Sequence, residues 1–113
     1  MADAKLLKDL QIKTNILKRL VKEHSSYIKE AEKEAEKIAK LKEDPATDEY
    51  VLKKLVEAQQ ETKGMVPIVA QKAHAACKEL KAFLDANQEY LSDEAAADAK
   101  EAISTGNAIP LFY

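Results

Sequence analysis

A chain of 113 residues with 18 basic and 20 acidic side chains carries a formal charge of -2, which gives no global pull towards nucleic acid, and no basic stretch is interleaved with aromatic residues. It has no Trp, 5% aromatic residues, one cysteine and two glycines. The core must therefore come from close approach of small side chains, and an intramolecular disulfide, a thiolate metal cluster and a phosphate-cradling loop are all excluded.

The length suits one domain spanning 1–113. Met1 to Lys5 leads into alternating charge instead of an apolar run, so neither a signal peptide nor a membrane span is expected. Together with the lone Cys77, this makes a cytoplasmic protein the default expectation.

Apolar residues then return every seventh place. Leu10, Leu17, His24, Ala31 and Ile38 form one series, Leu20, Tyr27 and Leu41 follow three residues on, and Val21, Ile28 and Ala35 widen the stripe. The pattern predicts a first helix over about 10–43, its start falling somewhere within 5–13, packed lengthwise against other helices. At ~1.5 Å per residue such a helix runs for roughly 45 to 50 Å, too long for a compact body, so the molecule should be a rod. The charged run from Lys29 to Lys42 keeps the inner seam and reads as a solvated face, with Glu30 and Lys33, Glu34 and Lys37, and Glu36 and Lys40 spaced as helix pairs. Glu34 occupies a seam position, either reaching solvent along its stem or marking a polar gap.

Asp44-Pro45 ends the helix, because a residue before proline is pushed out of the helical region. Asp44 or Thr47 is expected to cap the next helix, with Asp48 and Glu49 in its first turn. So short a break predicts an antiparallel hairpin. The second helix, about 48–86, carries the series Leu55, Thr62, Val69, Ala76 and Phe83 between the flanking rows Leu52, Val66, Ala73, Leu80 and Val56, Ala70, Cys77, Leu84. Pro67 removes one backbone donor at a cost of ~3 kcal/mol, yet the series passes it without slipping, which predicts one helix bent near 67.

A third helix over about 93–105 should start at Ser92, a good cap, and stop at Gly106-Asn107. Its candidate inner face is Ala95, Ala96, Ala99, Ala102 and Ile103. The apolar tail 107–113 either folds back over the bundle end or stays loose. The fold class expected is an all-α, elongated, antiparallel three-helix bundle with a proline-bent second helix.

No catalytic constellation assembles from these residues. His24 and His74 fall on or beside apolar seams of different helices, no Glu-x-x-His pair accompanies them, and Ser25-Ser26 face away from His24. A non-enzymatic protein without a cofactor or metal is expected.

Two segments carry a family resemblance. Ile12-Lys13-Thr14, Lys18-Arg19-Leu20-Val21-Lys22-Glu23, Tyr27 and Lys29-Glu30 form the first; Tyr50, Leu52-Lys53-Lys54, Glu57, Glu61 and Met65-Val66-Pro67 form the second. In order and spacing they resemble the tubulin-folding cofactor A family, over roughly Leu10 to Leu84. Val51, Leu55 and Ile68 stand where that family usually carries Asp, Gln and Asp.

The resemblance implies a three-helix bundle that binds β-tubulin folding intermediates after chaperonin release and holds them for assembly of the α/β heterodimer. It also implies other tubulin-folding cofactors as further partners and a cytoskeleton-associated location, and a monomer is the expected state. Lys18, Arg19, Lys22, Lys53 and Lys54 would steer the partner, Glu23, Glu57 and Glu61 would set register, and Tyr50, Met65 and Pro67 complete the candidate surface. The alternative is a generic helical adaptor whose seams pair between chains. Because the third helix buries little area per residue, amide hydrogen exchange should be fastest there, and protection equal to that of the first two helices would contradict this reading.

Overall fold

Asp3 starts the first helix: its Oδ1 accepts from the Leu6 N–H at 2.7 Å, so the helix begins at Ala4, one residue before the 5–13 range in which its start was expected. The computed structural model describes residues 3–112; Met1, Ala2 and Tyr113 lie outside the described residues, and with them the two ends of the lead segment and apolar tail. Three α-helices follow in order, α1 (Ala4–Glu43), α2 (Glu49–Ala86) and α3 (Asp93–Asn107), with a single 3₁₀ turn at Gln88–Tyr90 before α3. No strand occurs among the described residues.

The caps differ from expectation at one point. Asp48, not Asp44 or Thr47, closes the start of α2 by accepting from the Tyr50 N–H at 2.7 Å. Asp44 is occupied in the connection, where its Oδ1 accepts from the Ala46 N–H at 2.9 Å. Ser92 caps α3 as expected, accepting from Ala95. α2 runs without interruption through Pro67, whose neighbours Val66 and Val69 are both buried.

Contacts between α1 and α2 move in opposite senses along the two helices. Lys13 meets Glu79 near one end, and the Ala31 carbonyl accepts from Gln59 Nε2 towards the other, so the hairpin is antiparallel. α3 turns back along α2, with Ala96 near Leu84 and Gly106 against Cys77. The result is a rod of 68 × 20 × 18 Å with a radius of gyration of 19.7 Å, against about 13 Å for a compact chain near this length.

A helix of 15 residues covers roughly 22 Å of this rod. The continuous core accordingly gathers at one end, where Leu10, Leu17 and Leu20 meet Val69, Ala73, Leu80 and the alanines of α3. Elsewhere the hairpin is two helices thick, and Ala31, Ile38 and Val66 are buried outside that cluster. Two corrections follow from this. Ala35 was expected to widen the α1 stripe and is exposed, because a two-helix seam covers a narrower stripe than a three-helix core. On α2, the rows through Ala73 and Cys77 are the most buried, while Leu55, Ala76 and Phe83 are half-buried, because α3 lies to one side.

Buried polar atoms near the core find partners. Thr14 Oγ1 donates to the Leu10 carbonyl at 2.8 Å, and Cys77 Sγ donates to the Ile103 carbonyl at 3.7 Å. In the tail, Ile109 is buried and its carbonyl accepts from His74 Nε2 at 2.6 Å. Leu111 and Phe112 are exposed, the latter at 88%. Among the described residues the tail therefore docks through Ile109.

The two glycines serve different ends. α3 ends at Asn107, where the Gly106-Asn107 pair placed its stop, but Gly106 is not the cap: it is buried inside the helix, has no positive φ, and a Cβ there would strike Cys77 Sγ and approach Leu17 Cδ1 to 3.1 Å. Its missing side chain sets how closely α3 seats on the hairpin. Gly64 has nothing within 4 Å of a Cβ. Gly106→Ala is expected to lower stability by about 1 to 3 kcal/mol through overpacking, and Gly64→Ala to raise it by up to about 1 kcal/mol through helix propensity. Thermal unfolding of the two variants checks both signs.

Candidate protein-binding surface

The register of the hairpin divides the residues singled out from sequence. Lys18, Arg19 and Lys22 lie towards the three-helix end, and Tyr50, Lys53, Lys54 and Glu57 lie beside the C-terminal part of α1. With Ala31 opposite Gln59, the two basic groups stand about 25 Å apart along the rod. They are two separate patches on a long flank.

Lys18 faces α3, where its Nζ meets Asp98 Oδ2 at 2.7 Å. Both side chains are about half exposed, so this ion pair contributes at most ~1 kcal/mol to holding α3. Arg19 pairs along its own helix with Glu23 at 3.5 Å, and Lys22 is exposed. Lys54 lies 5.4 Å from the Tyr50 ring centroid and 3.5 Å from Glu57. Lys53 and Glu61 are exposed, and Met65 and Pro67 are half-buried. Met65 and Pro67, two places apart, face different sides of α2 and do not form a joint apolar spot. Glu30 with Lys33, Glu34 with Lys37, and Glu36 with Lys40 are not among the ion pairs of the described residues, in keeping with how little exposed pairs gain.

A feature that the sequence reading missed joins several of these residues. α3 touches α1 through Leu17 and Lys18 and touches α2 through Cys77, which leaves the opposite face of the hairpin open. Three grooves lie along that face. One, about 460 Å³, is bordered by Leu6, Asp9, Phe83 and Tyr90. The next, about 330 Å³, is bordered by Ile12, Lys13, Ile16, Ala76 and Glu79. The third, about 540 Å³, lies at the two-helix end between Tyr27, Glu30, Glu34, Glu61 and Met65. Their α1 residues step by three and four within two groups, Asp9, Lys13 and Ile16 towards one end and Tyr27, Glu30, Glu34 and Lys37 towards the other; the two groups share one helix face, so the grooves lie along the same side of the hairpin.

Apolar side chains punctuate this seam. Ile12 and Ile16 are 47% and 42% exposed, and the Lys13 ammonium sits 5.5 Å from the Phe83 centroid while bonding Glu79 at 2.9 Å. Ile12 and Ile16 stand four residues apart, on one helix face but off the heptad seam. That off-seam pair is the sequence signal for an unpartnered apolar stripe.

The histidines and the cysteine are embedded in the structure. Burial lowers the His24 pKa below the ordinary imidazole value, and burial raises that of the Cys77 thiol, which depresses its reactivity. Among the described residues no group of three His, Cys, Asp or Glu side chains could hold a metal. Among the described residues no helix is long and apolar enough to cross a membrane.

These features define an elongated all-α bundle whose accessible surface is a mixed apolar and charged flank. The family model described as tubulin binding cofactor A matches residues 5–103. Tubulin-specific chaperone A of Gallus gallus is 38% identical over 111 residues, 98% of each chain, and that of Oryctolagus cuniculus is 37% identical over 102 residues, 90% of each. Tubulin-folding cofactor A of Arabidopsis thaliana is 40% identical over 78 residues, covering 69% of this chain and 68% of its own. No solved structure matches. The chain belongs to the tubulin binding cofactor A family.

The position of His24 has a consequence for stability. Its folded pKa lies below its unfolded one, so the unfolded chain binds the proton more readily and stability falls as pH drops through about 6.5 towards the folded value. Replacing His24 with Leu should reduce the loss of thermal stability between pH 7.5 and 5.5. An unchanged pH slope in that variant would show that His24 does not supply it.

Proposed function

We propose that this protein is a non-enzymatic holder of β-tubulin: it captures β-tubulin folding intermediates after their release from the cytosolic chaperonin and keeps them for assembly of the α/β-tubulin heterodimer. Membership of the tubulin binding cofactor A family supports the tubulin part of this reading. The observation that carries the holding role is the open seam of the α1–α2 hairpin, which offers apolar side chains over much of a 68 Å rod without a closed cavity.

A client that has not finished folding exposes apolar surface unevenly, and a long lateral seam can meet it at several points. Arg19 and Lys22 towards one end, and Lys53 and Lys54 towards the other, supply charge that orients the encounter. Glu61 and Met65 line the seam itself, and Glu23 pairs with Arg19. On this reading the protein acts in the cytoplasm, in association with the tubulin cytoskeleton, as a monomer that needs no cofactor. Other tubulin-folding cofactors are its further partners.

Immobilised protein exposed to cytosol should enrich β-tubulin over α-tubulin, and equal recovery of the two, or of neither, would contradict the proposal. Reversing charge at Arg19 and Lys22 together is the sharper probe, since Lys18 is engaged by Asp98. The double variant Arg19→Glu with Lys22→Glu should bind β-tubulin about tenfold more weakly, chiefly through a slower association rate, with helicity unchanged. Unaltered capture would place the contact elsewhere.

A further inference from the structure

Glu34 occupies a position where the heptad pattern calls for an apolar side chain, and its carboxylate is only half engaged. Oε1 accepts from Thr62 Oγ1 across the hairpin at 2.7 Å. The same hydroxyl also lies 3.1 Å from the Ala58 carbonyl, so one hydrogen serves two acceptors. Oε2 is shielded from solvent and has no hydrogen-bond partner, and Glu34 takes part in no ion pair among the described residues. A shielded carboxylate oxygen without a donor destabilises the free protein.

The surroundings specify what would complete this group. Tyr27 and Met65 give the groove an apolar wall, and Glu30, Glu34 and Glu61 set three carboxylates around it against the single ammonium of Lys37. We propose that this groove receives a segment of the client that presents an arginine or lysine beside apolar side chains, the cation being taken by Glu34. The proposal rests on the client-holding reading above. A guanidinium or ammonium seated in the groove would pair with the Glu34 carboxylate, Oε2 turning outward to gain the donor it lacks, while the stem of that side chain would cover Tyr27 and Met65. The charge of the rim favours a basic segment over an acidic one and over a second copy of the seam, which would set carboxylates against carboxylates.

The test compares Glu34→Gln, Thr62→Val and the unaltered protein for binding of purified β-tubulin, with circular dichroism and thermal unfolding followed in parallel. Glu34→Gln keeps the size and the acceptor for Thr62 but removes the charge, and should weaken binding about tenfold and flatten its salt dependence without loss of helicity. Thr62→Val breaks the bond across the hairpin and leaves the carboxylate, and should bind within about twofold of the unaltered protein. Binding that is unchanged in Glu34→Gln overturns the proposal and leaves the client-holding reading standing. Equal losses in the two variants, in step with lowered helicity, overturn it in favour of a structural role. A change in the self-association of Glu34→Gln by light scattering overturns it in favour of a second copy. Failure of the unaltered protein to bind β-tubulin overturns the reading and this proposal with it.

Discussion

The antiparallel seam between α1 and α2 is the constraint on which the rest of the structure depends. Its two helices, 40 and 38 residues long, are joined by a short connection that Asp44-Pro45 ends on one side and Asp48 starts on the other. Once the seam closes, one flank of the hairpin is available to α3 and the other faces outward along its whole length. The outward seam thus follows from a third helix too short, and placed too far to one end, to cover it.

α3 is held by fit more than by area. Alanine contributes little apolar surface on burial, so the helix relies on close seating, which Gly106 allows against Leu17 and Cys77. The ion pair of Lys18 with Asp98 and the bond from His74 to the Ile109 carbonyl fix its orientation and its end. At the opposite end the hairpin has no third layer, and there Glu34 bonds Thr62 and Gln59 bonds the Ala31 carbonyl across a seam that also buries Ala31 and Ile38. The rod has a well-packed end and a thinner one, and the proposed client contact spans both.

Much of the fold was legible in the sequence because one long period governs it. The series Leu10, Leu17, His24, Ala31 and Ile38 is buried throughout, and Ser92 caps α3 where its residue type placed it. Legibility failed where a local signal had two physical uses. Gly106-Asn107 marks the end of α3 correctly, yet the glycine serves close approach and not a left-handed cap, since it satisfies a left-handed turn and a tight contact equally well. Asp44 and Asp48 are both good caps, and only the backbone geometry of the connection chooses between them. Ala35 fits the stripe, but whether it is covered depends on where α3 lies, which no local pattern encodes.

The candidate surface was less legible for the same reason. Charged segments on α1 and α2 identify residues, but the register decides that Lys22 and Lys54 are far apart and that Met65 and Pro67 face different sides. The open seam itself is an absence of covering, visible only after α3 has been placed. Small-angle X-ray scattering extrapolated to zero concentration tests the central claim most directly, since it reads mass and shape together. The account predicts the mass of one chain with a radius of gyration close to 19.7 Å; a compact particle near about 13 Å, or a mass of two or more chains at every dilution, would contradict it.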